Sequence, residues 1–144
     1  MIQIETTSHD PFFNQAFEDY VFRTYREGDV LLLWRNRPAV VVGCYQNICR
    51  EVHMRALLDR GIPVVRRMSG GGTVYHDLGN LNYTLISDQT GPLDYDRCLE
   101  PVIRALNALG VPAQKNRTCD IAVDGKKISG RLPELKKGRR GCRP

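Results

Sequence analysis

Residues 66–80, RRMSGGGTVYHDLGN, hold the densest chemistry in the chain. Three consecutive glycines, Gly70, Gly71 and Gly72, stand between two segments of strand character, where glycine weakens a sheet. What glycine supplies there is positive φ and close approach of the backbone to a ligand. Successive N–H groups in such a turn form an anion-binding concavity, and Arg66 and Arg67 beside it are donors suited to phosphate. The pattern suits a phosphate or an adenylate. Three glycines alone read equally as a flexible hairpin turn. His76, Asp77 and Asn80 add weight to the ligand reading, because they gather polar groups at the end of an otherwise apolar strand. His76 by itself is compatible with a hydrogen-bonded structural histidine, and Asp77 with a turn residue before Gly79-Asn80.

The elements that must hold this turn follow from hydrophobic spacing. Asp10-Pro11 is a helix start, with Asp as N-cap and Pro at the first helical position. Phe13, Ala16, Phe17, Tyr20, Val21 and Thr24 then follow helical spacing, which predicts an amphipathic helix over Pro11–Tyr25. Val30–Trp34 and Ala39–Gly43, divided by Asn36-Arg37-Pro38, read as paired strands. Glu51–Arg60 has helical spacing and ends at Gly61. Pro63–Arg67, Thr73–Asp77 and Leu81–Ser87 read as further strands. Leu99, Val102, Ile103, Leu106 and Leu109 mark a helix ending at Gly110, with Pro101 predicting a kinked first turn or a later start. Asp124-Gly125 between Ile121–Val123 and Lys126–Ser129 is a type I′ hairpin signal. Strands outnumber helices and short turns join most of them. The expected fold is an α+β domain with a mixed or largely antiparallel sheet and flanking helices.

The 144 residues fit one domain. The net charge of +5 is unevenly spread: residues 126–144 hold eight Lys and Arg against Glu134, a local +7, so residues 1–125 stand at −2. A basic stretch of this kind reads as a solvated charge run, and a nucleic-acid binder would carry its basic face on the folded part. No nucleic-acid partner is expected. Apolar runs such as Val30–Trp34 fall far short of the ~18–20 residues that span a bilayer. The N-terminus has neither signal-peptide nor transit-peptide pattern, so no membrane association and a cytoplasmic location are expected. Five cysteines, an odd count without a CxxC pair, and three scattered histidines argue for reduced thiols and against a zinc site.

RRMSGGGTVYHDLGNLNYT resembles the signature RRxSGGGxVxHDxGN of lipoate–protein ligases and lipoyltransferases. Asp10–Phe22, DPFFNQAFEDYVF, resembles that family's first helix, and Trp34–Asn47, WRNRPAVVVGCYQN, its pattern W-x-N-x-P-x-V-V-x-G-x-x-Q-N. Asp120–Gly130, DIAVDGKKISG, resembles the segment bearing the family's catalytic lysine. Four matches in order cover residues 10–130. The resemblance implies the biotin/lipoate protein ligase catalytic fold, which is similar to class II aminoacyl-tRNA synthetases. It implies a two-step reaction, in which ATP with Mg2+ and lipoate give lipoyl-AMP. The lipoyl group then passes to a lysine of a carrier domain, as in 2-oxoacid dehydrogenases or the glycine-cleavage H protein. Lys127 matches the catalytic lysine. Arg67, Ser69, Gly70, Gly71 and Gly72 are expected to line the lipoyl-adenylate pocket with His76 and Asn80 nearby, and Asp120 to face the adenylate. Val42, Gly43 and Val74 are candidates for an apolar acyl slot and equally for core. Strand alternation turns Lys126 away from Lys127. No tightly bound metal is implied.

After Gly130 the family continues with two small residues and later His-His-Gly, whereas this sequence has Arg131-Leu132 and Gly141-Cys142-Arg143-Pro144. The expected division is therefore a catalytic-domain portion over 1–130 and a divergent basic tail over 131–144. Missing strands would leave unpaired sheet edges, so the chain alone is expected to be weakly stable and catalytically poor. Two further functions fit: an octanoyl or lipoyl transferase without ATP activation, and a non-catalytic fragment that binds lipoate or a carrier. Biotin–protein ligases share the fold but carry a different loop. Cys119 reads as a buried inert thiol rather than a nucleophile.

Overall fold

The computed structural model describes residues 1–25, 28–87, 95–118, 120–129, 132–136 and 139–143, with only backbone for Tyr95, Arg97 and the last two segments. The chain runs β1 (Ile2–Glu5), α1 (Pro11–Thr24), β2 (Val30–Trp34), β3 (Ala39–Val42), α2 (Ile48–Glu51), α3 (Met54–Asp59), β4 (Val64–Arg66), β5 (Val74–His76), β6 (Asn82–Ser87), α4 (Tyr95–Ala108), β7 (Gln114–Lys115), β8 (Ile121–Val123), β9 (Lys126–Ser129), β10 (Leu132–Lys136) and β11 (Arg139–Arg143). This is the expected mixture of helices and largely antiparallel strands. It is divided among three sheets, ordered β1-β2-β6-β11-β10, β4-β3-β5 and β7-β8-β9. The β1–β2 and β3–β4 pairings are parallel.

β2 and β3 do not pair with each other as their spacing predicts. β2 runs antiparallel to β6, and β3 lies between β4 and β5. The reason lies in the connection. Asn36 is fully buried, its side chain is held by Asn14 of α1, and the Arg37 N–H donates to His9 O at 2.8 Å. These bonds dock the segment against the start of α1 instead of closing a hairpin. β3 is thereby buried along its whole length, which makes Val42 a core residue.

α1 begins at the expected cap, with Asp10 Oδ1 accepting from Phe12 N–H at 3.1 Å. Its buried face is not the expected apolar stripe. Asn14, Glu18, Val21 and Phe22 turn inward, while Phe12, Phe13 and Tyr20 are each half exposed or more. Buried polar groups are stable when hydrogen-bonded. Glu18 Oε1 accepts from Thr84 Oγ1 at 2.5 Å, which fastens α1 to β6. Val21, Phe22, Val30 and Ile86 form the apolar core beside that bond. A second core of Leu99, Ala113 and Ile121 seats α4 on the β7-β8-β9 sheet.

The single helix expected over Glu51–Arg60 is two. Val52 is extended, and His53 Nδ1 accepts from Ala56 N–H at 3.2 Å to start α3 afresh. α4 starts at Tyr95, earlier than Pro101 suggests, with the proline inside the helix. Within the basic stretch over residues 126–144, the backbone of β10 and β11 forms an antiparallel pair, with β11 pairing with β6 from Arg140↔Ser87 to Cys142↔Leu85. This pairing takes up backbone groups that β6 would otherwise leave open at a sheet edge. Among the described residues no helix is long and apolar enough to cross a membrane. Cys119, Gly130 and Arg131 lie outside the described residues.

Candidate functional site

Arg67 follows β4 and is buried among backbone carbonyls. Its Nη2 donates to Gly70 O and to Gly72 O at 2.7 Å each, its Nε to Gly70 O at 3.1 Å, and its Nη1 to Val41 O at 3.2 Å. The C=O and N–H of a trans peptide point in opposite directions. With the carbonyls of residues 70 and 72 drawn in to the guanidinium, the N–H groups of Gly71 and Thr73 face away from it. These two alternate amides are left on the side of the turn away from the arginine. Arg66 braces the neighbouring loop, its Nη1 contacting the carbonyl oxygens of Gly43, Cys44 and Gln46 at 2.8, 3.1 and 2.8 Å. The arginines shape the site, and the turn itself offers backbone amides.

The two loops touch through backbone. A Cβ added at Gly43 would lie 2.0 Å from Gly71 O and 3.4 Å from Arg67 Nη2. Cys44 N–H donates to Ser69 O at 3.0 Å. Gly43 serves this backbone contact, and Val74 is 44% exposed. Ser69 Oγ and Thr73 Oγ1, at the two ends of the glycine turn, are buried without a hydrogen-bond partner among the described residues. An unsatisfied buried hydroxyl costs about 1–3 kcal/mol, so a polar ligand atom reaching either one is favoured.

His76 ends β5 and is 8% exposed. Its Nδ1 lies 3.0 Å from Asn36 Nδ2. Burial lowers its pKa, the Arg67 charge lowers it further, and Asp77 opposes both. The ring therefore takes up its proton at lower pH than a free histidine does. Above the ordinary value of 6.5 the folded and unfolded chains are both neutral here and this group's stabilisation is complete. As pH falls below that value the unfolded chain takes up a proton that the folded chain resists, and stability is lost toward the lowered folded pKa. The urea midpoint should fall between about pH 7.5 and about pH 5.5, and His76→Gln should flatten that slope. An equal slope in the variant would contradict this assignment.

Asp77 is a turn residue, its Oδ1 accepting from Gly79 N–H at 2.8 Å. Asn80 closes the same turn, its N–H donating to Asp77 O at 3.0 Å, and the residue is exposed.

Lys127 belongs to the β7-β8-β9 sheet. The hairpin turn is the expected one, with φ of 48° at Asp124 and 73° at Gly125. The register shifts between Ile121, paired with Ser129, and Ala122, paired with Lys127, so the irregularity falls at Ile128; Lys126 and Lys127 pair regularly with Val123 and Ala122, and both are exposed. Lys127 Nζ lies 3.1 Å from Asp120 Oδ2. Desolvation raises the Asp120 pKa, but hydrogen bonds from Thr118 and Lys127, the Lys127 charge and a hydrogen bond with Asn116 outweigh it, so the carboxyl sits below its usual value. Asp120 thus stays ionised and steers the lysine. The sequence points to both residues of this pair. The W-x-N-x-P pattern marks Asn36 but not its partners: its burial against Asn14 depends on contacts distant along the chain.

The described residues thus hold two chemistry-bearing arrangements in one α+β domain: a glycine turn shaped by an arginine, with buried hydroxyls at its two ends, and a lysine paired with an aspartate on the β7-β8-β9 sheet. Residues 10–139 match the lipoyl protein ligase A/B catalytic domain. The chain is 43% identical over 134 residues to lipoate-protein ligase LplJ of Bacillus subtilis, covering 91% of this chain and 40% of the relative. It is 41% identical over 139 residues to the mitochondrial lipoyl amidotransferase LIPT1 of Mus musculus, covering 92% and 36%. The structure of P. falciparum LipL1 in complex with lipoate superposes with a TM-score of 0.91 at 25% identity, over 99% of this chain and 46% of that one. Lipoate-protein ligase A bound with ATP superposes with a TM-score of 0.88 at 26% identity, over 99% and 63%. The chain belongs to the lipoyl protein ligase A/B catalytic-domain family. It spans about 40% of the length of the LplJ relative.

Proposed function

We propose that this chain carries the acyl-adenylate half of a lipoate–protein ligase, with ATP and lipoate as substrates. The lipoate carboxylate attacks the α-phosphorus of ATP, the bond to the β-phosphate breaks, and pyrophosphate leaves with its electron pair. The amine of a carrier-domain lysine then attacks the acyl carbon and AMP departs. Lipoyl domains of 2-oxoacid dehydrogenases and the glycine-cleavage H protein are the proposed acceptors. The Mg2+ arrives with the triphosphate, as is usual for nucleotide substrates.

The observation that carries this reading is the turn at residues 69–73, with outward amides and two buried hydroxyls awaiting acceptors or donors. Phosphoryl attack by a carboxylate needs alignment and charge neutralisation rather than acid–base chemistry. The amides meet the phosphoryl oxygens, and Lys127 neutralises the charge that grows between carboxyl and phosphate. Asp120 orients Lys127 through the 3.1 Å pair.

A second reading is favoured by the name of the mouse relative, a lipoyl amidotransferase. In it the chain uses a preformed acyl donor and needs no ATP. Pyrophosphate release that requires both ATP and lipoate supports the ligase. Transfer from synthetic lipoyl-AMP without such release supports the transferase. Failure to bind lipoyl-AMP, lipoate or ATP by calorimetry would overturn both.

A further inference from the structure

A buried amide chain reaches from α1 to His76, at the end of β5 that pairs with Ala39. Asn14 Nδ2 contacts three oxygens, Ser8 O at 2.9 Å, Arg35 O at 3.0 Å and Asn36 Oδ1 at 2.9 Å. Two of these are backbone carbonyls, which can only accept, so the Asn14 nitrogen is fixed as the donor. Asn36 must then present its oxygen to Asn14 and its NH2 to the other side. On that other side is His76 Nδ1, 3.0 Å away. A nitrogen that accepts a hydrogen bond carries no proton, so in a neutral ring the proton is on Nε2. Asn14 is 1%, Asn36 0% and His76 8% exposed, so water competes little with this chain of bonds. Nε2 has no partner among the described residues.

We propose that Asn14 and Asn36 are positioning residues that lock His76 as the Nε2–H tautomer, making it a fixed donor at the end of β5 that pairs with Ala39. The donated bond goes to an oxygen of an acyl or phosphoryl ligand. Asn14 sets Asn36, and Asn36 sets the ring. This assigns α1 a part in the site beyond packing, since one of its side chains decides where the histidine proton resides. Proton abstraction from substrate is excluded for the locked ring, because its basic nitrogen is occupied by Asn36. The charged groups that influence the ring, Arg67 and Asp77, act in opposite directions. The tautomer follows from the hydrogen-bond chain alone. That the accepting oxygen belongs to an acyl-adenylate rests on the proposed function.

The test is long-range 1H–15N correlation of the imidazoles in the full chain, which has three histidines, with His76→Gln supplying the assignment. The wild type should show His76 with an unprotonated Nδ1 and a protonated Nε2 at neutral pH. Asn36→Asp keeps the size and the acceptor for Asn14 but replaces the NH2 with an oxygen. The histidine proton should then move to Nδ1 or the ring become imidazolium, and affinity for a non-hydrolysable lipoyl-AMP analogue should fall about tenfold. A wild-type ring protonated on Nδ1 overturns the proposal, and so does a variant ring identical to wild type. The wild-type spectrum decides alone should the variant not fold. An Nε2–H that the analogue binds near without shifting overturns the ligand half while leaving the tautomer standing, and analogue binding measured separately tells that outcome from a failure of the functional reading.

Discussion

Replacing Lys127 with alanine should slow lipoyl-AMP formation by about 10²–10³-fold, the usual loss when a preorganised charge-stabilising donor is removed, or about 3–4 kcal/mol of barrier. The effect falls on chemistry and not on folding. Lys127 is 58% exposed at its side chain and makes its ion pair at the surface, where such pairs contribute little to stability. The melting temperature should therefore stay close to wild type while the single-turnover rate collapses. Lys127→Arg keeps the charge, but its planar fork differs in reach and geometry from an ammonium held by one carboxylate oxygen, so it should restore only part of the rate. Single-turnover formation of labelled lipoyl-AMP, with circular dichroism melts of the same samples, measures both sides. A rate within a few-fold of wild type would show that the amine is a bystander.

Gly43→Ala should damage the site through sterics. The new methyl would sit 2.0 Å from the Gly71 carbonyl oxygen, a backbone atom with no rotamer to yield. Either loop must move by roughly 1 Å or more, because a dense interior does not absorb such overlap. The shift breaks the Cys44–Ser69 bond and pulls the Gly71 peptide away from the carbonyls that Arg67 holds. Overpacking of this kind costs about 1–3 kcal/mol and occasionally more, and the turn's amides lose their common focus. Gly72→Ala is the stability comparison, since a Cβ there meets nothing within 4 Å. Urea unfolding should separate the two, with a lowered midpoint for Gly43→Ala and a stability change within about 0.5 kcal/mol for Gly72→Ala. Equal midpoints would mean that the loops are not in the contact described. Gly43, outside the triplet that draws attention in the sequence, thus carries a steric demand of its own.

The sequence discloses what is local. The Asp10-Pro11 cap, the Asp124-Gly125 hairpin and the α+β mixture all follow from residue types at short spacing, and they appear where expected. What it conceals is set by contacts between distant segments. Nothing near Asn36 says that its side chain meets Asn14 and His76, yet that bond chain diverts β3 from β2 into another sheet. The buried face of α1 departs from the apolar stripe for the same reason: a polar residue such as Glu18 turns inward when a distant partner, here Thr84, satisfies it. The lysine pair was legible in type and spacing, but the register shift between Ile121 and Ala122 has no residue signature such as a glycine to announce it. Arg67 is a case between these. Its place beside the glycines is plain in sequence, but its turn inward onto Gly70 and Gly72 follows from burial.

The most direct test is a titration of the isotopically labelled chain with a non-hydrolysable lipoyl-AMP analogue, following the Gly70–Gly72 amides and the Lys127 side chain together. If one mixed anhydride lies against both, the two sets of signals move with a single dissociation constant, and Lys127→Ala weakens the response of the glycine amides. Movement of the glycine amides while the Lys127 signal stays fixed throughout would contradict a shared site.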